Sequence, residues 1–364
     1  MTDRTRVIHI VEDLRIGGLE RVVHNIVVNL DRARFEPEVW SLARGGEVAE
    51  EIATRGVPVQ VSNMGQRPSP AFVIRLAGRL RRAGARIVHC HGYTACTAGR
   101  AAAILARTPR LFAHIHTQGL WLQPRQRRIE RVLSAFSTKV ICVSASVQEF
   151  VVQDERIPRP KTEVIYNGIP DPPLPDRESA RRRFGIREGA RVLGCVASLE
   201  PHKGHAILIE AVRIARMRLG DLVLLVVGDG SLRRDLECRA REAGIAAVFT
   251  GRMENTGFAL AAMDALALLS LEREGLSLAI IEAMAASKPV ISSRLGGLPE
   301  LVEDGANGLL CRVSDPTEAA HCIVKILEDA EVGRAMGKAG RRLFLEKFTL
   351  ERMVSEIGRL YDEK

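Results

Sequence analysis

Aromatic residues, paired cysteines and long apolar runs are all scarce in this sequence. Only 4% of its 364 residues are Phe, Trp or Tyr, which leaves little material for a nucleic-acid interface built on base stacking. The seven cysteines are odd in number and include no C-x-x-C pair, a pattern that favours reduced thiols over a disulfide framework or a zinc site. No run of 18 uncharged apolar residues is present, which argues against a membrane-spanning helix. We therefore expect a globular protein of the cytoplasm.

Acidic residues are scarce in one part of the chain. The formal net charge is +9, and residues 1–171 contain 25 Lys and Arg against 16 Asp and Glu, whereas residues 172–364 contain 28 of each class. Between residues 64 and 148 there are 14 basic residues and a single acidic one, Glu130. This imbalance predicts an anionic partner for the first half of the chain.

Strand and helix patterns alternate along the chain. This alternation predicts an α/β fold with parallel sheets and crossover helices, and it restarts after a stretch that holds six prolines between Pro158 and Pro175. We expect two Rossmann-like domains. The predicted boundaries are an N-terminal domain over residues 1–171, a linker over 172–190, a second domain over 191–348 and a final helix over 349–364.

One carboxylate interrupts an apolar helix pattern. Glu282 lies within the apolar segment Leu278 to Ala286, and a helix that is apolar nearly all round is buried. A buried carboxylate needs a hydrogen-bond donor from the protein or from a ligand. The two vicinal hydroxyls of a ribose would suit Glu282, and a neighbouring backbone group is the alternative.

A second carboxylate, Glu274, lies eight positions earlier in a loop at the carboxyl end of a predicted strand. Open α/β sheets bind their ligands at that edge, so Glu274 is a candidate acceptor for sugar hydroxyls. Ser277 is predicted to cap the following helix. Free backbone amides at the start of this helix are candidates to hold a diphosphate, namely those of Gly275, Leu276, Ser277 and Leu278. The pair predicts a nucleotide-sugar site, whereas a solvated loop carboxylate is the alternative for Glu274 alone.

Two other strand-to-helix junctions carry candidate phosphate contacts. Gly17 and Gly18 form a turn whose backbone can approach a phosphate or a sugar closely, although a simple tight turn is equally consistent with the pair. Lys203 lies at a second junction, where its ammonium can meet phosphate oxygens unless it is a solvated surface lysine.

The segment EGLSLAIIEAMA, with seven residues between Glu274 and Glu282, and the following PVISSRLGGLPELV resemble the signature of retaining GT-B glycosyltransferases of family 4. The resemblance implies two Rossmann-like domains that face each other across a cleft. It also implies that the second domain holds most of the donor nucleotide and the first holds the acceptor. The last helix is expected to cross back onto the first domain.

The resemblance assigns further residues of the donor site. Family members carry a histidine at the position of His116 that hydrogen-bonds the donor sugar, and their first glycine loop, here Gly17 and Gly18, faces the diphosphate and the acceptor. Their nucleobase pocket is lined, partly through backbone, at three successive positions that correspond here to Gly251, Arg252 and Met253.

One position departs from the family pattern. The family has an Arg five residues before the Lys that corresponds to Lys203, and this chain has Ser198 there. Ser198 stays in the predicted donor site, but one phosphate contact is weakened. Three alternatives are open for the missing guanidinium: Arg273 replaces it, Arg294 replaces it, or no residue does.

The implied reaction moves a hexose from a nucleotide diphosphate sugar to an acceptor hydroxyl with retention of configuration. A UDP-sugar is favoured and a GDP-sugar is possible, and the acceptor is expected to be a saccharide or a lipid-linked intermediate of cell-surface polysaccharide or glycolipid assembly. The implied catalytic residues are Glu274, His116 and Lys203. Retention leaves two routes open, which are a carboxylate nucleophile and a leaving phosphate that takes the acceptor's proton on the same face.

No metal or other cofactor is expected to be required. No Asp-x-Asp metal motif stands at a strand end, so stabilisation of the departing diphosphate is assigned to helix amides and Lys203. His89, Cys90 and His91 crowd together at another strand end, but their spacing matches no metal motif, and we interpret them as packing residues.

Two other functions remain open from the sequence. A nucleotide-sugar epimerase on the same fold would bind the same donor without a second substrate, and a non-catalytic binder of membrane or nucleic acid would use the basic first half. The predicted helix from Pro70 to Ala83 could dock on an anionic inner membrane face through four arginines, Arg75, Arg79, Arg81 and Arg82. A helix that packs on the sheet with a solvated arginine face is the alternative.

Overall fold

The computed structural model describes residues 4–15, 17–63, 68–119, 122–272 and 274–363. The chain divides into two compact units, of which one comprises Met1–Ile169 with Leu350–Lys364 and the other Pro170–Thr349. Among the described residues, none of the helices combines the length and the apolar character that crossing a bilayer requires.

The first unit is built around a seven-stranded parallel sheet with the strand order β3-β2-β1-β4-β5-β6-β7. Its strands are β1 (Thr5–Asp13), β2 (Phe35–Arg44), β3 (Val59–Val61), β4 (Ile87–His91), β5 (Arg110–Ile115), β6 (Lys139–Cys142) and β7 (Thr162–Val164). The helices between them are α1 (Gly18–Asn29), α2 (Glu47–Thr54), α3 (Pro70–Arg82), α4 (Arg100–Ala106), α5 (Pro124–Phe136) and α6 (Ala145–Gln153). Central strands such as β4 are buried along their whole length, as expected when helices cover both faces of a parallel sheet.

The second unit is built around a six-stranded parallel sheet with the strand order β10-β9-β8-β11-β12-β13. Its strands are β8 (Arg191–Val196), β9 (Leu222–Val227), β10 (Ala246–Phe249), β11 (Ala265–Leu268), β12 (Val290–Ser293) and β13 (Gly308–Cys311). Its helices are α7 (Arg177–Arg183), α8 (His205–Leu219), α9 (Arg233–Glu242), α10 (Gly257–Ala262), α11 (Leu278–Ala285), α12 (Leu298–Leu301), α13 (Pro316–Glu328) and α14 (Ala330–Lys347). The predicted α/β class with two Rossmann-like sheets is therefore confirmed.

The last helix, α15 (Leu350–Asp362), belongs to the first unit. It buries Met353, Ile357, Leu360 and Tyr361 on one face, and the Arg110 guanidinium at the start of β5 donates to the Leu360 carbonyl at 2.7 Å. The helix thus returns to the sheet that the first 169 residues build.

Residues 172–190, predicted as a linker, contain helix α7 of the second unit. Arg181 is buried, and its guanidinium donates to Asp264 Oδ2 at 3.0 Å and to the Ala262 carbonyl at 3.2 Å. The prolines before this helix and its charged sequence give no apolar periodicity from which to predict it. The helix is attached to the second unit by an ion pair and by only a little apolar surface.

The order of strands reverses at one place in each sheet. The first strand of the first unit, β1, lies between β2 and β4, and the first strand of the second unit, β8, lies between β9 and β11. Crevices at the carboxyl ends of the strands on either side of such a reversal are where open α/β sheets bind ligands. Gly17 and Gly18 follow β1, Lys203 follows β8 and Glu274 follows β11.

Candidate active site

Glu274 and Lys203 meet at the strand-order reversal of the second sheet. The Lys203 ammonium lies 2.5 Å from Glu274 Oε1, and the Ser270 hydroxyl donates to the same oxygen at 2.5 Å. The two loops are joined by backbone as well, because the Leu271 amide donates to the His202 carbonyl at 2.8 Å. The sequence placed Lys203 and Glu274 in one site, and the structure brings them together.

The Glu274 carboxylate is held in a dry environment. Its residue is 5% exposed, and a carboxylate taken out of water is tolerated only when an opposite charge and hydrogen-bond donors satisfy it. Lys203 supplies the charge and Ser270 supplies a neutral donor. Ser270 is a site residue that was not predicted from the sequence. Its position two residues after β11, at the carboxyl edge of the sheet, was the signal that could have identified it.

Glycines after β12 hold the Glu274 backbone. The Gly297 amide donates to the Glu274 carbonyl at 3.2 Å. Gly296 has a φ of +54°, and a Cβ on it would lie 2.1 Å from the Glu274 carbonyl oxygen. Only glycine fits this contact, which gives the Leu-Gly-Gly sequence after β12 a structural reason.

Helix α11 begins directly after this loop. The Ser277 hydroxyl accepts from the Ile280 amide at 3.4 Å and caps the helix as predicted. Gly275, Leu276 and Ser277 are buried, and Leu278 is half-buried. The first amides of the helix therefore stand beside the Glu274–Lys203 pair, where the positive end of the helix dipole favours an anion.

Glu282 lies one turn further along α11 and is half-buried. Its Oε2 accepts from the Thr256 hydroxyl at 2.9 Å. The neighbours of Glu282 in the sequence are buried, as predicted for an apolar helix. A protein side chain, and not only a backbone group, thus contributes to satisfying this carboxylate.

The predicted nucleobase segment follows β10. Gly251 is buried and has a φ of +75°, Arg252 is exposed, and Met253 is half-buried. The Gly228 amide donates to the Gly251 carbonyl at 2.9 Å, so this segment is pinned to the end of β9. A Cβ at Gly228 would in turn lie 1.9 Å from the Ala197 carbonyl oxygen.

Ser198 follows this close approach and is exposed. Of the two arginines considered as replacements for the family arginine, Arg294 is bound to Asp304 Oδ2 at 2.9 Å in an exposed pair. Arg273 lies outside the described residues. The Arg294 guanidinium is thus already paired with a carboxylate, and the replacement of the family arginine stays a prediction.

In the first unit, the glycine turn after β1 leads into α1. Gly17 is half-buried and Gly18 is exposed. A Cβ at Gly17 would lie 2.2 Å from the Glu20 carboxylate, so a larger residue there would displace the end of that side chain. Burial raises the pKa of Glu20 to about 7, and the sequence analysis did not identify Glu20.

His116 follows β5 and is half-buried. Its Nε2 lies 3.3 Å from His91 Nδ1, and burial lowers the pKa of His116 to about 3. The imidazole is therefore neutral at physiological pH. His116, Leu19 of α1 and Tyr93 line one cavity of about 70 Å³ together with the buried Glu130 and Glu155.

His116 is one of five histidines on the first sheet, an arrangement that the sequence analysis missed. The others are His9 on β1, His89 and His91 on β4, and His114 on β5, and all four are fully buried. Burial of His89, Cys90 and His91 agrees with their interpretation as packing residues. The signal for the cluster was the alternation His-x-His on two strands, which places all of these side chains on one face of the sheet.

Two family models match the chain. The model described as "Glycosyltransferase Family 4" matches residues 16–171, and that described as "Glycosyl transferases group 1" matches residues 176–343. The two matches fall on the first and second units respectively, and together they span nearly all of the chain.

Curated relatives and solved structures match as well. The chain is 29% identical over 230 residues to an N-acetyl-alpha-D-glucosaminyl L-malate synthase of Bacillus anthracis, covering 60% of this chain and 58% of that protein, so the match spans less than two thirds of the relative. It is 26% identical over 322 residues to a UDP-Gal:alpha-D-GlcNAc-diphosphoundecaprenol alpha-1,3-galactosyltransferase of Escherichia coli, covering 84% and 82%. The structure of Anabaena Alr3699/HepE in complex with UDP-glucose has a TM-score of 0.87 at 23% identity and covers 98% of this chain and 99% of that one.

The structural similarity confirms the predicted GT-B fold, and the family models confirm the resemblance that the Glu274 to Glu282 motif suggested. The chain belongs to the group 1, family 4 type of glycosyltransferases.

Proposed function

We propose that this protein transfers a hexose from a nucleotide diphosphate sugar to an acceptor hydroxyl with retention of configuration. The observation that carries the proposal is the Lys203–Glu274–Ser270 arrangement at the N-terminus of α11, beside the strand-order reversal of the second sheet. It offers an ammonium and free amides for a diphosphate and a carboxylate for sugar hydroxyls within one loop cluster.

Lys203 is the proposed electrophilic partner of the leaving group. The bond between the anomeric carbon and the diphosphate oxygen breaks, and negative charge collects on the departing diphosphate. Lys203 and the α11 amides are fixed before the reaction and stabilise that charge as it develops. They do this without a divalent cation, so turnover is expected to continue in the presence of a chelator.

Glu274 is proposed to bind the sugar and not to act as a nucleophile. Its Oε1 already accepts from Lys203 and from Ser270, which lowers the electron density available for attack on the anomeric carbon. Retention then follows the other route. The acceptor oxygen bonds to the anomeric carbon on the face that the diphosphate leaves, and the acceptor's proton passes to a phosphate oxygen of the leaving group.

His116 is proposed to hydrogen-bond the donor sugar, and Glu282 to accept from the ribose. A neutral imidazole both donates and accepts, which suits a sugar hydroxyl. Thr256 already donates to Glu282 Oε2, so the ribose would share the carboxylate with it.

A UDP-hexose is the proposed donor. Support comes from the UDP-Gal-dependent relative and from the similar structure that holds UDP-glucose. A GDP-sugar is the alternative outcome of the donor test.

The test of the activity compares donors and acceptors directly. Thermal unfolding is followed with UDP, GDP and their hexose conjugates, since a ligand at 100 times its dissociation constant stabilises by about 2.7 kcal/mol. Product formation with the stabilising donor and a lipid-linked or saccharide acceptor is then followed by mass spectrometry, with and without chelator. Transfer that depends on acceptor supports the proposal, whereas conversion of the donor sugar without any acceptor identifies an epimerase.

We also propose that the first unit docks on an anionic membrane beside a lipid-linked acceptor. Helix α3 packs against α4, and α4 packs against α5. Large apolar side chains are exposed along these three helices, namely Ile74, Leu105, Val132 and Phe136, of which Ile74 is 64% and Phe136 63% exposed. We call these four residues, together with Arg75, Arg82, Arg128 and Arg131, the basic apolar face.

Basic side chains surround these apolar residues. Arg75 and Arg82 on α3 and Arg128 and Arg131 on α5 are exposed. A cleft of about 370 Å³ near α5 is lined by four arginines, Arg127, Arg128, Arg131 and Arg156, and by two acidic residues, Asp154 and Glu155. Glu130, the only acidic residue between positions 64 and 148, is buried in an ion pair with Arg100 and offers no negative charge to this surface. Each basic residue close to an anionic bilayer contributes about 1 kcal/mol.

Two of the four arginines first considered for docking have structural partners. Arg79 donates to the Ser62 hydroxyl at 2.8 Å and lies over the Trp40 ring at 4.7 Å, and Arg81 donates to the Leu105 carbonyl at 2.8 Å. The docking test therefore leaves them in place.

Cosedimentation with vesicles rich in anionic lipid tests the docking. The wild-type chain is expected to bind at low ionic strength and to dissociate as salt screens the charges. Replacement of Arg75, Arg82, Arg128 and Arg131 by Ser should abolish binding, whereas replacement of four exposed arginines of the second unit should not; this control set is Arg182, Arg234, Arg241 and Arg342. Equal binding of both variants would rule out this face as the dock.

A further inference from the structure

We propose that His91, His114 and His116 form a binding site for a transition-metal ion, best suited to Zn²⁺. One nitrogen of each imidazole lies within 4.8 Å of one nitrogen of each of the other two. The three side chains project from the ends of the neighbouring strands β4 and β5, where His91 and His114 are directly paired in register. Their positions are set by the sheet and do not depend on a loop.

The distance between two of the nitrogens matches tetrahedral zinc. His91 Nδ1 and His116 Nε2 lie 3.3 Å apart. Two ligands that are each about 2.0 to 2.1 Å from a tetrahedral zinc ion lie about 3.3 to 3.4 Å from each other. The spacing of this pair therefore suits two ligands of one zinc ion.

His114 supplies the observation that points to a ligand. It is fully buried, yet neither of its ring nitrogens has a hydrogen-bond partner among the described residues. A buried polar group without a partner is costly. His114 also lines the 70 Å³ cavity with His116. An ion coordinated there would give one nitrogen of His114 a partner, and the fourth coordination position of the ion would face the cavity.

Hydrogen bonds behind the triad fix the tautomer that coordination requires. If His91 binds the metal through Nδ1, its Nε2 carries the proton and donates to His9 Nδ1, which lies 3.1 Å away. His9 Nε2–H then points to the Tyr361 hydroxyl at 3.5 Å, and that hydroxyl donates to His89 Nδ1 at 2.5 Å. Metal-binding histidines commonly donate their second N–H in this way. Here one assignment satisfies each of these contacts and leaves His89 Nε2–H without a partner among the described residues.

All three proposed ligands are imidazole nitrogens. Imidazole nitrogen is a ligand type that zinc, copper and nickel share, and Zn²⁺ is chosen as the probe because it is not redox-active.

Metal binding would engage His116, the proposed sugar contact. Zinc is therefore expected to inhibit transfer, and this consequence rests on the proposed function. The metal site itself does not, so the experiment below measures binding and structure without any turnover.

The experiment uses the full chain after treatment with chelator and gel filtration. Zinc is added, unbound metal is removed, and bound metal is counted by mass spectrometry. The wild-type chain is expected to retain one zinc ion per chain. His114→Phe, which keeps a ring of similar size, should bind at least about tenfold more weakly, whereas His321→Phe, at an exposed position on α13, should bind like the wild type.

Two outcomes of the count would overturn the proposal, namely no zinc on the wild-type chain and equal zinc on His114→Phe. X-ray absorption of the zinc-loaded wild-type chain gives a second test that needs no variant to fold. Imidazole nitrogens at about 2.0 Å support the triad, whereas sulfur at about 2.3 Å would assign the zinc to cysteines and refute the site.

Discussion

At the scale of single residues, Lys203 and Glu274 depend on each other before any substrate binds. Among the described contacts, removing Lys203 leaves the 5%-exposed carboxylate with the Ser270 hydroxyl and no opposite charge. The ammonium side is about one fifth exposed, so part of the interaction is screened by water. We expect Lys203→Met to destabilise the second unit by about 1 to 3 kcal/mol.

A double-mutant cycle separates this coupling from simple loss of packing. Glu274→Gln keeps an acceptor for Ser270 but removes the charge, and the double variant Lys203→Met/Glu274→Gln should be more stable than the sum of the single effects implies. Urea unfolding at pH 7 measures the free energies of unfolding of the wild type and the three variants. Additive effects would mean that the 2.5 Å pair contributes no coupling.

Gly296 is a second residue-scale test, because it places the Glu274 backbone. Gly296→Ala must accommodate a Cβ 2.1 Å from a carbonyl oxygen at a φ of +54°. Gly305→Ala is the matched control, since Gly305 has a φ of +83° and nothing within 4 Å of its Cβ position. Both variants carry the conformational cost of about 1 kcal/mol or more, and only Gly296→Ala should also lose affinity for the donor sugar. Equal donor affinity in the two variants would contradict the role of this glycine.

Glu155 provides a pH test at a single buried carboxyl. Burial, helped by the neighbouring Glu130, raises the pKa of Glu155 to about 8. The folded chain therefore holds a proton that the unfolded chain releases near pH 4.5, so stability is fully present below about pH 4.5 and is lost as pH rises to about 8. Glu155→Gln should be stabilising relative to the wild type at pH 8.5, by up to about 4 kcal/mol.

The control for this prediction is Glu36→Gln on β2, where the carboxyl is exposed. Unfolding midpoints at pH 5.5 and pH 8.5 give the comparison. If Glu155→Gln and Glu36→Gln change the midpoints alike, the Glu155 carboxyl is ionised in the folded chain and the account of its burial is wrong.

At the scale of elements, the histidines of β1, β4 and β5 make the stability of the first sheet depend on pH. Burial lowers the pKa values of His9, His89, His91, His114 and His116. Their stability contribution is present above about pH 6.5, where the unfolded chain is also neutral, and it is lost as pH falls toward the folded pKa values. Each histidine adds a slope of up to about 1.4 kcal/mol per pH unit.

We therefore expect the first unit to unfold in mild acid. Urea midpoints followed by near-ultraviolet circular dichroism should fall steeply between pH 6.5 and pH 5, before most carboxylates titrate. His114→Phe removes one of the five groups and should reduce the slope by about one proton. A midpoint that does not change over this interval would show that the five imidazoles are not buried neutral groups.

The elements also show why part of the site was predictable and part was not. Glu274, Ser277 and Glu282 lie on one loop and one helix, so spacing in the sequence reports their spacing in the structure. The five histidines lie on three strands, and their proximity depends on the register that pairs His9 with His89 and His91 with His114. That register is set by tertiary packing, and no local pattern contains it.

Helix α7 was missed for a related reason. Its sequence Arg177–Arg183 is charged, and its anchors are Arg177 and Arg181 on Asp264, which lies more than 80 residues away.

The membrane docking of α3 and α5 stays a prediction.

At the scale of the whole molecule, the alternating pattern was enough to predict two parallel sheets with crossover helices. The restart of this alternation after the proline-rich stretch carried the prediction of two domains. The Glu274 to Glu282 motif was predicted to follow the carboxyl end of a strand, and the structure places that strand, β11, beside the reversal of strand order in the second sheet. The proposed function depends on that location. Glu282 on α11 is proposed to bind the nucleotide, and Glu274 in the loop before α11 is proposed to bind the transferred sugar.

The most direct measurement of this central claim compares Glu282→Ala and Glu274→Ala. Binding of free UDP, or of GDP if the donor screen selects it, is measured by calorimetry, and transfer is measured as kcat/KM. Glu282→Ala should weaken nucleotide binding by about 1 to 3 kcal/mol, the scale for losing hydrogen bonds to a charged group. Glu274→Ala should leave that affinity nearly unchanged but lower kcat/KM by about 100-fold or more, because it loses contacts to the transferred sugar. Wild-type nucleotide affinity in a folded Glu282→Ala, or wild-type transfer in Glu274→Ala, would contradict the account.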